Sequence, residues 1–71
     1  MFIHDEEEAE LAADICGKWG FEYEPADFIG CYTTNVLNYE PKTRSLTACI
    51  DEIAAALREL RAERAEDEAA F

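Results

Sequence analysis

The sequence predicts a small α+β domain, in which an N-terminal helix and a long C-terminal helix flank a small antiparallel sheet from the middle of the chain. Apolar residues recur with a helical period near both ends of the 71 residues. The middle is rich in β-branched and aromatic residues, and two Tyr-Glu-Pro tripeptides interrupt it. An all-α three-helix bundle is the alternative, because residues 28–39 also fit a helical stripe.

Residues 5–18 are predicted to form the first helix. Its apolar stripe consists of Leu11, Ile15 and Trp19, with Ala12 and Cys16 beside it. Asp5 is the predicted N-cap, since an Asp side chain at that position accepts hydrogen bonds from the first free backbone amides. Gly20 is the predicted residue just after the C-terminus, where glycine adopts a positive φ without strain.

The middle of the chain predicts short strands. Residues 21–24 alternate apolar and acidic side chains and then meet Pro25, which is typical of a short edge strand. Residues 28–39 read FIGCYTTNVLNY, in which Gly30 and the threonines are poor helix formers. Pro41 stands where a type I turn accepts proline, so we expect a hairpin there.

The C-terminal helix is indicated by apolar residues at alternating intervals of four and three. They are Leu46, Ile50, Ile53, Leu57 and Leu60. Ser45 or Thr47 is the expected cap, and the helix is expected to reach about residue 66. The chain is read as one domain, 1–71, with an acidic, fraying tail over residues 63–71. The same spacing fits a short coiled-coil seam, so a homodimer through this helix is an alternative to packing on the sheet.

The charge of the chain excludes several classes of protein. Seventeen acids stand against six Lys and Arg, a formal charge of −11. A basic nucleic-acid-binding protein is therefore excluded, and the length excludes a multidomain enzyme. Apolar residues make up 49% of the chain, too many for a disordered acidic tail. No run of apolar residues is long enough to span a membrane.

Residues 1–27 carry a net charge of −8, and in the first helix six carboxylates fall within ten residues. They give one charge per about 2.5 Å of helix, close to the one per about 1.7 Å of duplex DNA. The hypothesis is that this face binds a basic partner by imitating nucleic acid, and the alternative is a solvated face. The predicted partner-binding residues are Glu6, Glu7, Glu10, Asp14, Glu22 and Glu24.

No residue pattern indicates catalysis, a metal or a cofactor. Cys16, Cys31 and Cys49 form no close pair of the kind that structural zinc sites show, and His4 stands alone. The acids lie opposite the apolar stripe, away from the kind of pocket that raises a carboxyl pKa for acid–base work. The prediction is a protein that is not an enzyme. The N-terminus lacks the basic start and apolar run of a secretory signal, which predicts a cytoplasmic protein with reduced thiols.

In size, acidity and lack of a catalytic constellation the chain resembles the small acidic anti-defence proteins of phages, notably anti-CRISPR and DNA-mimicking inhibitors. The resemblance is one of overall character and carries no functional residue over. It implies an inhibitor that blocks a basic nucleic-acid-binding surface of a defence complex. A small homodimeric regulatory or structural module, acidic for solubility, is the alternative.

A third class is suggested by Arg44-Ser45-Leu46-Thr47, which is similar to the prosthetic-group serine region of acyl carrier proteins. That family has Asp or Gly before the serine and two further helices after the helix that the serine begins.

Overall fold

The computed structural model describes the backbone of residues 1–69 and the side chains of residues 1–65. The elements are α1 (Glu6–Lys18), α2 (Pro25–Phe28), α3 (Thr33–Val36), a 3₁₀ helix (Leu37–Tyr39) and α4 (Arg44–Ala69). Residues 1–69 contain no strand, and their β pairing is a single isolated antiparallel bridge between Phe2 and Tyr32. The α+β prediction is therefore wrong, and the fold corresponds to the all-α alternative with single-turn helices in place of a full third helix.

The strand predicted over residues 21–24 is an irregular segment, because Pro25 begins α2 instead of ending a strand. Proline suits the first position of a helix, where its fixed φ matches and its missing amide is not needed. The backbone amide of Glu24 donates to Asp27 Oδ2 at 2.9 Å and holds this start in place. Residues 28–39 bury Phe28 and Leu37 in single helical turns. Their β propensity depends on a neighbouring strand, and none is present within residues 1–69.

The hairpin predicted around Pro41 is also absent, because Thr43 caps α4, which begins at Arg44. Thr43 Oγ1 accepts a hydrogen bond from the Leu46 amide at 3.2 Å, the geometry of an N-cap. Ser45 and Thr47, the predicted caps, consequently lie inside the first turns of the helix. The tail that was predicted to fray, residues 63–71, includes residues 70 and 71, which lie outside the described residues. Its fraying stays a prediction.

The prediction for α1 is confirmed at both ends. Asp5 Oδ1 accepts from the Glu8 amide at 3.0 Å, and Gly20 adopts a φ of +87° just beyond the helix. Cys16, near the end of α1, lies 3.9 Å from Cys49, near the start of α4, measured between the Sγ atoms. The start of α1 contacts the far part of α4, so the two long helices pack antiparallel.

The core lies between α1 and α4 and is closed on one side by α2, α3 and the first residues of the chain. Ile3 is fully buried, and its amide donates to the Cys31 carbonyl at 2.9 Å. The other buried apolar residues are Ala9, Ala12, Ala13, Ile15, Cys16, Phe28, Leu37, Leu46, Cys49, Ile53 and Leu57. Among the described residues, no helix is long and apolar enough to cross a membrane.

The predicted stripes are only partly buried. Leu46, Ile53 and Leu57 lie in the core, whereas Ile50 and Leu60 are half-buried. The proposed coiled-coil seam is thus largely used within the monomer, where it packs on α1 and not on a sheet. Trp19, the last residue of the stripe predicted for the first helix, is the C-cap of α1 and is 36% exposed.

Candidate functional site

The structure places three of the predicted partner-binding residues on one exposed line along α1. We call Glu6, Glu10 and Asp14 the α1 ridge; all three are exposed. They follow one another at intervals of four residues, so each lies about 6 Å further along the helix than the last. Among the described side chains, none of the three has a basic partner within ion-pair distance.

Glu7, also predicted to bind a partner, is already paired within the chain. Its Oε2 accepts from Arg64 Nη2 at 2.6 Å, and the same guanidinium donates through Nη1 to Asp5 Oδ2 at 2.9 Å. The pKa of Asp5 is lowered, first by the hydrogen bond from the Glu8 amide and then by Arg64. Arg64 therefore pairs with two of the six acids and offsets one of their two negative charges.

Glu8 is not a surface acid, because its side chain is buried. Arg61 donates to it through Nε at 2.6 Å and through Nη2 at 3.1 Å, and the His4 amide donates to Oε1 at 2.8 Å. These donors, the Arg61 guanidinium above all, hold its pKa below the ordinary value. The residue is 1% exposed and is a structural ion-pair partner.

A sequence signal for this buried acid exists. Glu8 precedes Ala12 by four residues and Ile15 by seven, which places it on the apolar face of α1. Arg61 likewise follows the buried Leu57 by four residues in α4. An acid and a base on two facing apolar stripes indicate a buried pair, provided that the helices are known to pack together.

Internal pairing changes the charge density that the sequence suggested. The α1 ridge retains one charge per about 6 Å, far sparser than the one per about 1.7 Å of duplex DNA. When the six carboxylates are set against Arg61 and Arg64, the face of α1 keeps a net charge of −4 over about 15 Å, which is sparser than the charge of duplex DNA. What it offers is a row of separate carboxylates at a helical interval.

Beside the ridge lies a shallow groove of about 220 Å³ between α1 and α4. Its lining residues are Glu7, Glu10, Leu11, Asp14 and Leu60. Leu11 and Leu60 are half-buried and form an apolar floor. The Glu7–Arg64 pair joins the two helices at one end, and the Lys18–Glu52 pair, 3.0 Å between Nζ and Oε1, joins them near the other.

Glu22 and Glu24 do not belong to this surface. Both are exposed in the irregular segment after α1, and neither lines the groove. The amide of Glu24 is used in the start of α2. The structure thus brings together four of the six predicted binding residues and leaves these two apart.

The cysteines and the half-buried Tyr23 form no catalytic arrangement in the described part of the chain. Burial, with Cys49 alongside, raises the pKa of the Cys16 thiol to about 12, which makes it a poor nucleophile. Burial and the Glu40 carboxylate, 2.6 Å from the hydroxyl, raise the pKa of Tyr23 to about 12. No group of three or more His, Cys, Asp or Glu suited to a metal ion occurs among the described residues.

Ser45, the residue similar to a carrier-protein serine, lies exposed in the first turn of α4. Its neighbours Arg44 and Thr47 line an open depression of about 420 Å³. Within residues 1–69, α4 is the last helix, whereas the carrier family has two more after this point.

Comparison with protein-family models, with curated proteins and with solved structures finds no match to this chain. The fold and the site define it as a small all-α protein with an acid-rimmed groove between two antiparallel helices.

Proposed function

We propose that this protein is a small binding module that engages a basic protein surface through the α1 ridge and the groove beside it. The observation that carries the proposal is the division of the six acids formed by the N-cap Asp5 and the acids of α1. Three are paired with arginines of α4, whereas the α1 ridge has no basic partner among the described side chains. Like charges at intervals of four repel one another by about 0.2–0.5 kcal/mol per pair, so the spacing of the ridge does not stabilise the helix.

Binding would rest on two contributions. Lys and Arg of the partner would pair with the ridge carboxylates through charge-assisted hydrogen bonds, which are stronger than neutral ones. Leu11 and Leu60 would supply the desolvated contact that charge alone does not provide. The net charge of −11 would speed encounter with a basic surface at low ionic strength.

In its more specific form, the proposal is an inhibitor of a nucleic-acid-binding protein in the cytoplasm. A surface that holds phosphates is lined with Lys and Arg, so the α1 ridge would occupy side chains that nucleic acid otherwise uses. The resemblance to small acidic anti-defence proteins of phages supports this form. Inhibition would be competitive, with no chemical step.

The test compares the ridge variant Glu6→Gln/Glu10→Gln/Asp14→Asn with a matched control, Glu22→Gln/Glu59→Gln/Asp51→Asn. Each removes three charges from exposed positions and keeps side-chain size. Immobilised wild type and control are expected to retain the same basic nucleic-acid-binding proteins from a host lysate at low salt and to displace nucleic acid from them. The ridge variant is expected to lose both properties while its circular dichroism stays unchanged.

If the ridge variant and the control retain the partner proteins equally, total charge, and not the ridge, holds the partner. Retention of proteins without nucleic-acid-binding activity would refute the more specific form and leave the binding module. Retention of nothing by the wild type would contradict the proposal as a whole.

The second candidate is a homodimeric regulatory or structural module joined through α4. It is favoured by the length of α4, 26 residues against 13 in α1, and by the half-buried Ile50 and Leu60 on it. Sedimentation equilibrium over a range of concentrations separates the two. A dimer that Ile50→Glu converts to a monomer would favour the second candidate, and a monomer at all concentrations excludes it.

A further inference from the structure

We propose that the groove between α1 and α4 is a docking site for an amphipathic helix of the partner, carrying arginine or lysine on one side and leucine-like residues on the other. The inference rests on the proposed function and names the form of the partner that the groove takes.

The two sides of the α1–α4 contact differ. On one side the helices are covered by the first residues of the chain, α2 and α3, with Ile3 and Phe28 fully buried there. On the other side lies the groove, and no residue of the middle of the chain lines it. Leu11 and Leu60, both half-buried, therefore lie on the side of the α1–α4 pair that the groove leaves open.

A trough between two packed helices is the place where a third helix fits, at an interaxial distance of about 8–10 Å. A partner helix lying there would present its side chains at the same spacing as α1. Basic side chains four residues apart on it are about 6 Å apart along its axis, which matches the interval from Glu10 to Asp14. Its apolar side would then face Leu11 and Leu60.

Charge determines which kind of helix is favoured. Two carboxylates of the rim, Glu10 and Asp14, have no basic partner among the described side chains, whereas Glu7 is held by Arg64. An acidic helix would be repelled by this rim. A wholly apolar helix would cover the carboxylates without offering them a positive charge or a hydrogen-bond donor. A basic amphipathic helix satisfies both the rim and the floor.

The experiment titrates the protein with two synthetic peptides of identical Ala, Leu and Arg composition, about 18 residues long so that helix can form. One places Leu and Arg on opposite helical faces, and the other has a scrambled order without an apolar face. Isothermal calorimetry gives the affinities, and chemical shifts of the labelled protein locate the contact. The variants are Leu60→Gln and Glu10→Gln/Asp14→Asn, with Glu22→Gln/Asp51→Asn as the charge-matched control.

The wild type is expected to bind the amphipathic peptide about tenfold or more tightly than the scrambled one, with shifts at Leu11 and Leu60. Each groove variant should lose about tenfold in affinity, and the control should stay within about twofold. Circular dichroism of the variants checks that they fold, and the double charge variant keeps the test valid if Leu60→Gln is unstable.

Equal affinity for both peptides, unaffected by Leu60→Gln, would overturn the docking site and leave binding by charge alone, which the proposed function permits. Chemical-shift changes confined to other surfaces would overturn it as well. If neither peptide binds while the ridge variant still loses its partners from the lysate, the groove inference fails and the proposed function stands.

Discussion

Arg61 in α4 holds the buried carboxylate of Glu8 in α1, with Nε 2.6 Å from Oε2, and the same guanidinium donates through Nη2 to the Phe2 carbonyl at 2.7 Å. One side chain thus joins the last helix, the first helix and the N-terminal segment. The His4 amide completes the set of donors around Glu8. This contact also buries Glu8, one of the six carboxylates that the sequence analysis counted toward the charge of the helix.

Arg61→Ala should destabilise the fold on the order of 3 kcal/mol, because it leaves Glu8 buried without its counter-charge. Arg58→Ala is the matched control, since Arg58 is exposed and, among the described residues, donates only to the carbonyl of Ala54 in its own helix. We expect the control to change stability by less than about 0.5 kcal/mol. Urea denaturation measures both, and similar losses for the two variants would show that the buried pair has no special role.

Stability should fall on the acid side through Glu8. Arg61 lowers its pKa in the folded state below the ordinary 4.5, so the unfolded chain takes up the proton first as the pH falls. The stabilisation from this carboxylate is full above pH 4.5 and is lost as the pH drops through the lower folded pKa. The urea concentration at the unfolding midpoint is measured from about pH 6 to about pH 3. It should fall less steeply with decreasing pH in Glu8→Gln than in the wild type. Parallel curves would contradict the lowered pKa.

The melting temperature should rise with salt, because the net charge is −11 and repulsion within the α1 ridge is unscreened at low ionic strength. The exposed Lys18–Glu52 pair opposes this trend but contributes little. Melts in about 20 mM and about 500 mM NaCl test it, and chloride avoids the salting-out effect of sulfate. The ridge variant should show a smaller rise, and an unchanged or lower midpoint in the wild type would refute the prediction.

Leu57→Ala should cost about 2–4 kcal/mol, because Leu57 is fully buried against α1 and truncation leaves a cavity. In a domain of this size, such a loss is a large part of the total stability. Leu60 is half-buried and lines the groove, so Leu60→Ala should lower the free energy of unfolding clearly less. Equal losses in urea melts would mean that Leu60 is covered in solution, for example by a second copy of the chain.

Thiol labelling should distinguish the three cysteines. Cys16 and Cys49 are buried, and burial raises the pKa of both, so neither presents a thiolate to a reagent. Cys31 is half-buried and should react first in the native protein. A Cys31→Ser variant should react only after unfolding in urea. Rapid labelling of this variant under native conditions would show that the α1–α4 contact opens readily.

The sequence by itself determined the two long helices. Asp5, Gly20 and the spacing of Leu46, Ile53 and Leu57 are local signals, because caps and helical periodicity depend on residues a few positions apart. The acidity of the surface and the exposure of the α1 ridge follow from the same local reasoning.

The middle of the chain was not determined in this way. The β propensity of residues 28–39 and the prolines Pro25 and Pro41 fit both strand ends and helix starts. The choice was made by tertiary packing, which buries Phe28 and Leu37 against the helical pair without offering a partner strand within residues 1–69.

The site was decided by tertiary structure as well. Whether an acid of α1 is free or paired depends on Arg61 and Arg64, more than fifty residues away in the chain. Only the antiparallel packing of α1 on α4 brings these charges together and leaves Leu11 and Leu60 facing one groove. Charge composition is a property of the sequence, but the distribution of pairing partners is a property of the fold, because ion pairs form between groups that are close in space.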